Sequence, residues 1–184
     1  MSAWERDLKL DWDLDSWSIV FSRAYKGILN VALIEANLKV LSRWYLTPAK
    51  LSIMYPSSEA ICFRGCGLFG SMAHIWWECP KIRRYWNKIC NLIYKVSGLQ
   101  ISRSPEVALL NIHDPKIPKI SRSLIHFILL GAKSTLAKAW KQPKASFMAA
   151  KRKISWIMTQ EKVSSILLDS RDKFENIWEP WPIM

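Results

Sequence analysis

Three of the chain's four cysteines and one of its three histidines fall within residues 61–79, ICFRGCGLFGSMAHIWWEC. As ligands they read Cys62, Cys66, His74 and Cys79, spaced C-x3-C-x7-H-x4-C. Three thiolates and an imidazole suit a four-coordinate Zn²⁺, and such a set leaves no position open for substrate, which argues against a zinc hydrolase. The expectation is a structural zinc. Its rival is a set of buried free thiols, since cysteine is among the most buried residue types. The first pair also carries one residue more than the C-x2-C of most fingers and knuckles. Gly65, Gly67 and Gly70 stand between that pair and His74, where a chain wrapping a small ion needs unusual backbone angles.

The elements around this cluster must position it. Pro80 opens the strongest amphipathic pattern, residues 80–97, with Gly98 as its stop. Ile82, Tyr85, Trp86, Ile89, Ile93 and Val96 share one face, and Lys81, Arg84, Lys88, Asn91 and Lys95 follow one another at helical spacing on another. With Arg83 beside them, Lys81, Arg84, Lys88 and Lys95 form a candidate nucleic-acid-binding row; the alternative is an ordinary solvated face. Trp76 and Trp77, between His74 and Cys79, are either stacking rings for unpaired bases or part of a small core around the metal loop. Cys90 reads as core.

Upstream, residues 1–15 read as a solvated acidic arm, because Asp7, Asp11, Asp13 and Asp15 lack the glycine and closing glutamate of a calcium loop. Asp15 or Ser16 can cap a helix carrying Trp17, Val20, Phe21 and Ala24. A second helix is expected from about 31 to 46, with Ile34, Leu38, Leu41 and Tyr45 in a stripe. Thr47 and Pro48 read as cap and first position of a short helix ending before Pro56. Downstream, residues 99–120 form a proline-punctuated connector with one helical turn in PEVALL. A largely buried helix follows over 121–140, turning basic at Lys133, Lys138 and Lys141; another, capped by Ser146, reaches about residue 159. Two amphipathic pieces complete the chain. His113 and His126 have no carboxylate or cysteine at ligand spacing and read as structural. The fold class is all-α, organised as segments 1–56, 57–98, 99–120 and 121–184.

Composition narrows the function classes. Residues 61–150 hold fourteen basic and three acidic side chains, a net +11 within a chain total of +12, which points to a polyanion, nucleic acid first. No apolar run approaches the roughly 20 residues of a spanning helix. The acidic start resembles neither a signal nor a transit peptide, so an intracellular place, cytoplasm or nucleus, is expected, not secretion. No phosphate-cradling glycine loop, nucleophilic triad or paired-carboxylate set is found, and neither an enzyme nor a small-molecule substrate is expected.

With its flanks, the cysteine cluster resembles the carboxy-terminal segment of LINE-class (non-LTR) retrotransposon reverse transcriptases. The residues that carry the resemblance are RWYLTPAKLSIMYP at 43–56, HIWWECPKIRRYW at 74–86, WERDLKL near the start, SPEVALL at 104–110, LLGAKSTLAKAWKQP at 129–143 and RDKFENIWEPW at 171–181. Where the family reads C-W-R-C, this chain has Phe63 and an extra Gly65. No Tyr-x-Asp-Asp polymerase motif and no endonuclease carboxylate–histidine set occurs. The resemblance implies the tail of such an enzyme without its catalytic domains, a truncated or fragmentary copy, engaging the element's template RNA near the polymerase. The alternative is a protein-interaction or structural module docking on the polymerase domains of the same element.

Overall fold

The short-range signals for helix ends act as local hydrogen-bond chemistry requires. In the computed structural model, which describes residues 3–25, 27–28 and 30–182, Thr47 Oγ1 accepts from the Lys50 N–H at 3.2 Å with Pro48 in the first helical position. Ser146 Oγ accepts from the Ala149 N–H at 3.2 Å. Gly98 adopts φ +68°, the left-handed conformation that ends a helix without a Cβ clash. Among the described residues the elements are α1 (Ala3–Leu8), α2 (Leu14–Tyr25), α3 (Val31–Leu41), α4 (Pro48–Met54), a π-turn (His74–Glu78), α5 (Pro80–Ser97), α6 (Pro105–Leu110), α7 (Lys119–Lys138), α8 (Phe147–Leu167) and α9 (Arg171–Trp178). One isolated antiparallel bridge, Ile61 with Phe69, is the β-type pairing found there. The fold is all-α. No described helix is long and apolar enough to cross a membrane.

Helices α7 and α8 form the spine. Gly131 lets them touch: a Cβ there would lie 2.6 Å from Ile154 Cγ1. Helix α5 docks on α7 through Tyr85, whose hydroxyl donates to the Ala132 carbonyl at 2.7 Å. Ile82, Ile89 and Ile93 of α5, Leu109 of α6 and Leu124 and Ile128 of α7 are fully enclosed in one hydrophobic cluster that draws on all four sequence segments. Each such side chain contributes about 1.5–3 kcal/mol of transfer free energy.

Several expectations are corrected. The acidic amino-terminal stretch is no solvated arm: Trp4 is buried, its indole donates to the Leu41 carbonyl at 2.8 Å, and Arg43 pairs with Asp7 at 2.6 Å while lying over the Trp4 ring. The cap of α2 is Asp13, whose carboxylate accepts from the Ser16 N–H at 2.8 Å. Helix α3 stops at Leu41, not near residue 46, because Arg43 takes φ +54° to reach back to α1. Helix α8 runs past residue 159 to Leu167. Lys133, expected on a basic surface, is buried; its ammonium donates to Asn37 Oδ1 at 2.6 Å and to the Leu109 carbonyl at 3.2 Å.

Candidate metal centre

The four expected ligands come together. One ligand atom from each of Cys62, Cys66, His74 and Cys79 lies within 4.8 Å of the others. Cys62 and Cys79 sulfurs are 3.8 Å apart, and Cys66 Sγ is 3.2 Å from His74 Nε2. Two sulfurs about 2.3 Å from a tetrahedral ion would stand roughly 3.8 Å apart, so the cluster has the span that one metal ion needs.

Two local structures supply the ligands. Cys62 and Cys66 lie on a tight hairpin held by Cys62 N–H to the Leu68 carbonyl (2.9 Å) and Gly70 N–H to the Ala60 carbonyl (2.8 Å). Gly65 and Gly67 take φ +67° and +75° at its tip, the unusual angles expected of them. Gly70 differs: its φ is ordinary, and what it provides is room, because a Cβ would lie 2.6 Å from the Pro48 ring. His74 and Cys79 come from the π-turn, whose Cys79 N–H reaches back five residues to the His74 carbonyl at 2.9 Å. The wider turn brings both side chains to the cluster, in keeping with the frequent use of single π-turns at functional sites.

Burial pushes the Cys62 thiol up to about 12 and also raises Cys79. At Cys66 burial pushes upward too, but the Leu68 N–H and the neighbouring thiols bring the group below its ordinary value. Burial lowers His74, keeping its imidazole neutral and able to ligate. A metal ion therefore has to displace thiol protons as it binds.

Arg64 is a residue that spacing rules did not single out. It is buried, its N–H points at Cys62 Sγ at 3.4 Å, and its guanidinium sits within Coulombic reach of all three thiols. A divalent ion held by three thiolates would carry net −1, and the buried Arg64 guanidinium would supply the opposing charge in a low-dielectric setting. The same guanidinium donates to the Ala139 carbonyl at 3.2 Å and to the Gln142 carbonyl, pinning the hairpin to the end of α7. Its only sequence signal was a basic residue inside the first cysteine pair.

Lys81, Arg83, Arg84, Lys88 and Lys95 are all exposed on α5, and none makes an ion pair among the described residues. The expected stacking role of Trp76 is corrected: its ring is fully buried, between Tyr45 and Trp140 at centroid distances of 5.0 and 5.7 Å. Trp77 is half-buried beside Trp86 at 5.4 Å. Cys90 is core, as expected. A basic groove that the sequence had not marked as a unit lies where α7 ends and α8 begins, lined by Lys138, Lys144, Arg152, Lys153 and the exposed Trp156, with Lys153 Nζ 3.5 Å from the Trp156 ring centroid. Ala139 and Gln142, the acceptors of Arg64, line it too. No protein-family model matches the chain.

Proposed function

We propose that the chain is a non-catalytic nucleic-acid-binding module, built on a structural Zn²⁺ at Cys62, Cys66, His74 and Cys79, that grips single-stranded or structured RNA through its phosphates. The observation that carries this is the exposed cationic row on α5, without ion pairs among the described residues, starting two residues after Cys79 and backed by an apolar face buried against α7; Lys88 also lies over the Phe147 ring at 5.6 Å. Exposed cations in a row match the charge of a phosphate backbone and read no sequence. The groove of Lys138, Lys144, Arg152 and Lys153 adds contacts, and Trp77 and Trp156 supply the rings for base stacking, each worth about 1–3 kcal/mol. The resemblance to LINE-class reverse transcriptase tails agrees with this role and makes the element's own transcript the natural RNA, bound beside polymerase domains carried elsewhere.

The test is the Arg84→Ala/Lys88→Ala variant. RNA affinity should fall similarly for unrelated sequences, and the slope of log affinity against log salt should flatten by about 1.4, at roughly 0.7 per phosphate for single strands. Metal content should not change, because neither residue is a ligand. Parent-like binding at every salt concentration would reduce the row to a solvated face.

A second reading, a protein-interaction module docking on the polymerase domains, draws on the large apolar side chains left exposed around the hairpin and α4: Trp44, Ile53, Tyr55, Leu68 and Phe69. Parent-like RNA binding by the variant, together with solubility that improves on adding such a partner domain, would favour it.

A further inference from the structure

A cavity of about 790 Å³ opens between α2, the start of the connector after α6, α7, α8 and α9, and none of the metal ligands lines it. Four cations face it, Arg23 from α2, Lys119 and Arg122 from α7 and Lys173 from α9, against one carboxylate, Glu161 of α8. Arg23 is lowered from its ordinary value by burial and then by the charge of Arg122, so two guanidiniums confront each other across this space. Polar atoms on the wall are buried without a hydrogen-bond partner in the protein: both ring nitrogens of His113, Nε2 of His126, Nε of Arg122 and Oδ1 of Asn111. All of them belong to residues that line this one cavity. Four serines, Ser22, Ser123, Ser165 and Ser170, also line the wall, and its apolar part includes Ile19, Leu168 and Phe174, with Phe127 and Trp178 stacked on each other at 5.4 Å behind them.

We propose that this cavity binds a nucleotide-sized phosphomonoester, a phosphate dianion carrying a flat apolar body. The excess of cations sets the charge of the head. Guanidinium and ammonium groups of Arg23, Arg122, Lys119 and Lys173 are donors of the kind that phosphate oxygens take. His113 and His126 add imidazoles whose partners in the protein are incomplete. The accessible apolar surface of Ile19, Leu168 and Phe174 receives the body, and the volume lies within the roughly 300–1,000 Å³ of small-molecule sites. The site departs from the sequence-based expectation of no small-molecule ligand, and it stands independently of the α5 row. A free mononucleotide and the 5′-phosphorylated end of a strand present the same chemistry.

Burial, followed by neighbouring cations, holds His113 down to about 4 and His126 to about 3, with Lys133 among the charges acting on both. Burial raises Glu161 to about 7 against the pull of Lys173. Acidification therefore removes the one facing negative charge.

The probes are adenosine 5′-monophosphate, adenosine, inorganic phosphate and a 5′-phosphorylated trinucleotide, titrated calorimetrically into the full chain. The monophosphate should bind at one site, about tenfold or more tighter than either adenosine or inorganic phosphate. Arg122→Gln should weaken it about tenfold, the loss expected for one charged hydrogen bond. His113→Asn gives a second test should Arg122→Gln disturb folding. A trinucleotide that competes with the monophosphate assigns the site to strand ends; one that is excluded assigns it to a free mononucleotide. Arg84→Ala/Lys88→Ala should bind the monophosphate unchanged, so failure of the RNA reading leaves this site standing. The proposal is overturned if the monophosphate binds no tighter than adenosine or inorganic phosphate, or if Arg122→Gln and His113→Asn both bind it like the parent.

Discussion

Chelating the metal should unravel residues 57–80 while α7 and α8 keep their protection from hydrogen exchange. Apart from the ion, the hairpin is held by one bridge, by the Arg64 hydrogen bonds to the Ala139 and Gln142 carbonyls and by Gly70 against Pro48, while Leu68 and Phe69 are exposed at its end. Apparent zinc affinities of about 10–16 kcal/mol at such sites act directly as folding free energy, so their loss exceeds anything the bridge supplies. Without the ion, three clustered thiols and the buried charge of Arg64 face one another uncompensated. Helices α7 and α8 instead bury Leu124, Ile125, Ile128, Leu129, Ile154 and Ile157 against each other and their neighbours. Hydrogen exchange with and without chelator measures this residue by residue. Deprotection spread evenly over the chain would mean that metal loop and helical core unfold as one unit.

The second large effect is expected at the buried lysine. Lys133 bonds Asn37, whose amide donates in turn to the Ala24 carbonyl at 3.2 Å, and Lys133 also reaches the Leu109 carbonyl. The network ties α2, α3, α6 and α7 together. Asn37→Leu should cost about 2–3 kcal/mol, since it strips a charged hydrogen bond from an ammonium with no access to water. Adding Lys133→Met should recover much of that loss, because the charge and its partner then leave together. Burial lowers Lys133 to about 7, against 10.5 in the open chain. Between those values the unfolded chain holds a proton that the native state has released, so stability rises with pH across the window, by up to about 1.4 kcal/mol per unit. Below the native value the full penalty of a buried charge remains. Urea titrations of the parent and Lys133→Met across this range isolate the contribution. An identical pH slope in both proteins would contradict it.

What was legible in the sequence was governed by neighbours in the sequence. Thr47, Pro48, Ser146, Pro80 and Gly98 fix helix ends through bonds spanning three or four residues, and α5 begins and ends where they put it. The metal ligands were legible for the same reason: all four lie within eighteen residues, and their chemistry admits few uses. The rest depends on partners far along the chain. Lys133 and Asn37 are 96 residues apart, so a lysine near the end of an apolar helix read as surface. Trp76 was divided between stacking and core, and Tyr45 and Trp140, distant in sequence, put it in the core. His113 and His126 had no ligand-like neighbours in sequence; only the packing of α2, α7, α8 and α9 brings them to one cavity with Arg23 and Lys173. The amino-terminal stretch read as an arm because Arg43, its anchor, lies 36 residues from Asp7.

Metal analysis of protein purified without chelator tests most directly whether Cys62, Cys66, His74 and Cys79 form a metal centre. About one equivalent of zinc per chain is expected, and it should be lost on Cys79→Ser, as one four-coordinate site requires. A stoichiometry near zero, with the helical signal intact, would leave Cys62, Cys66 and Cys79 as buried free thiols and contradict the account at its centre.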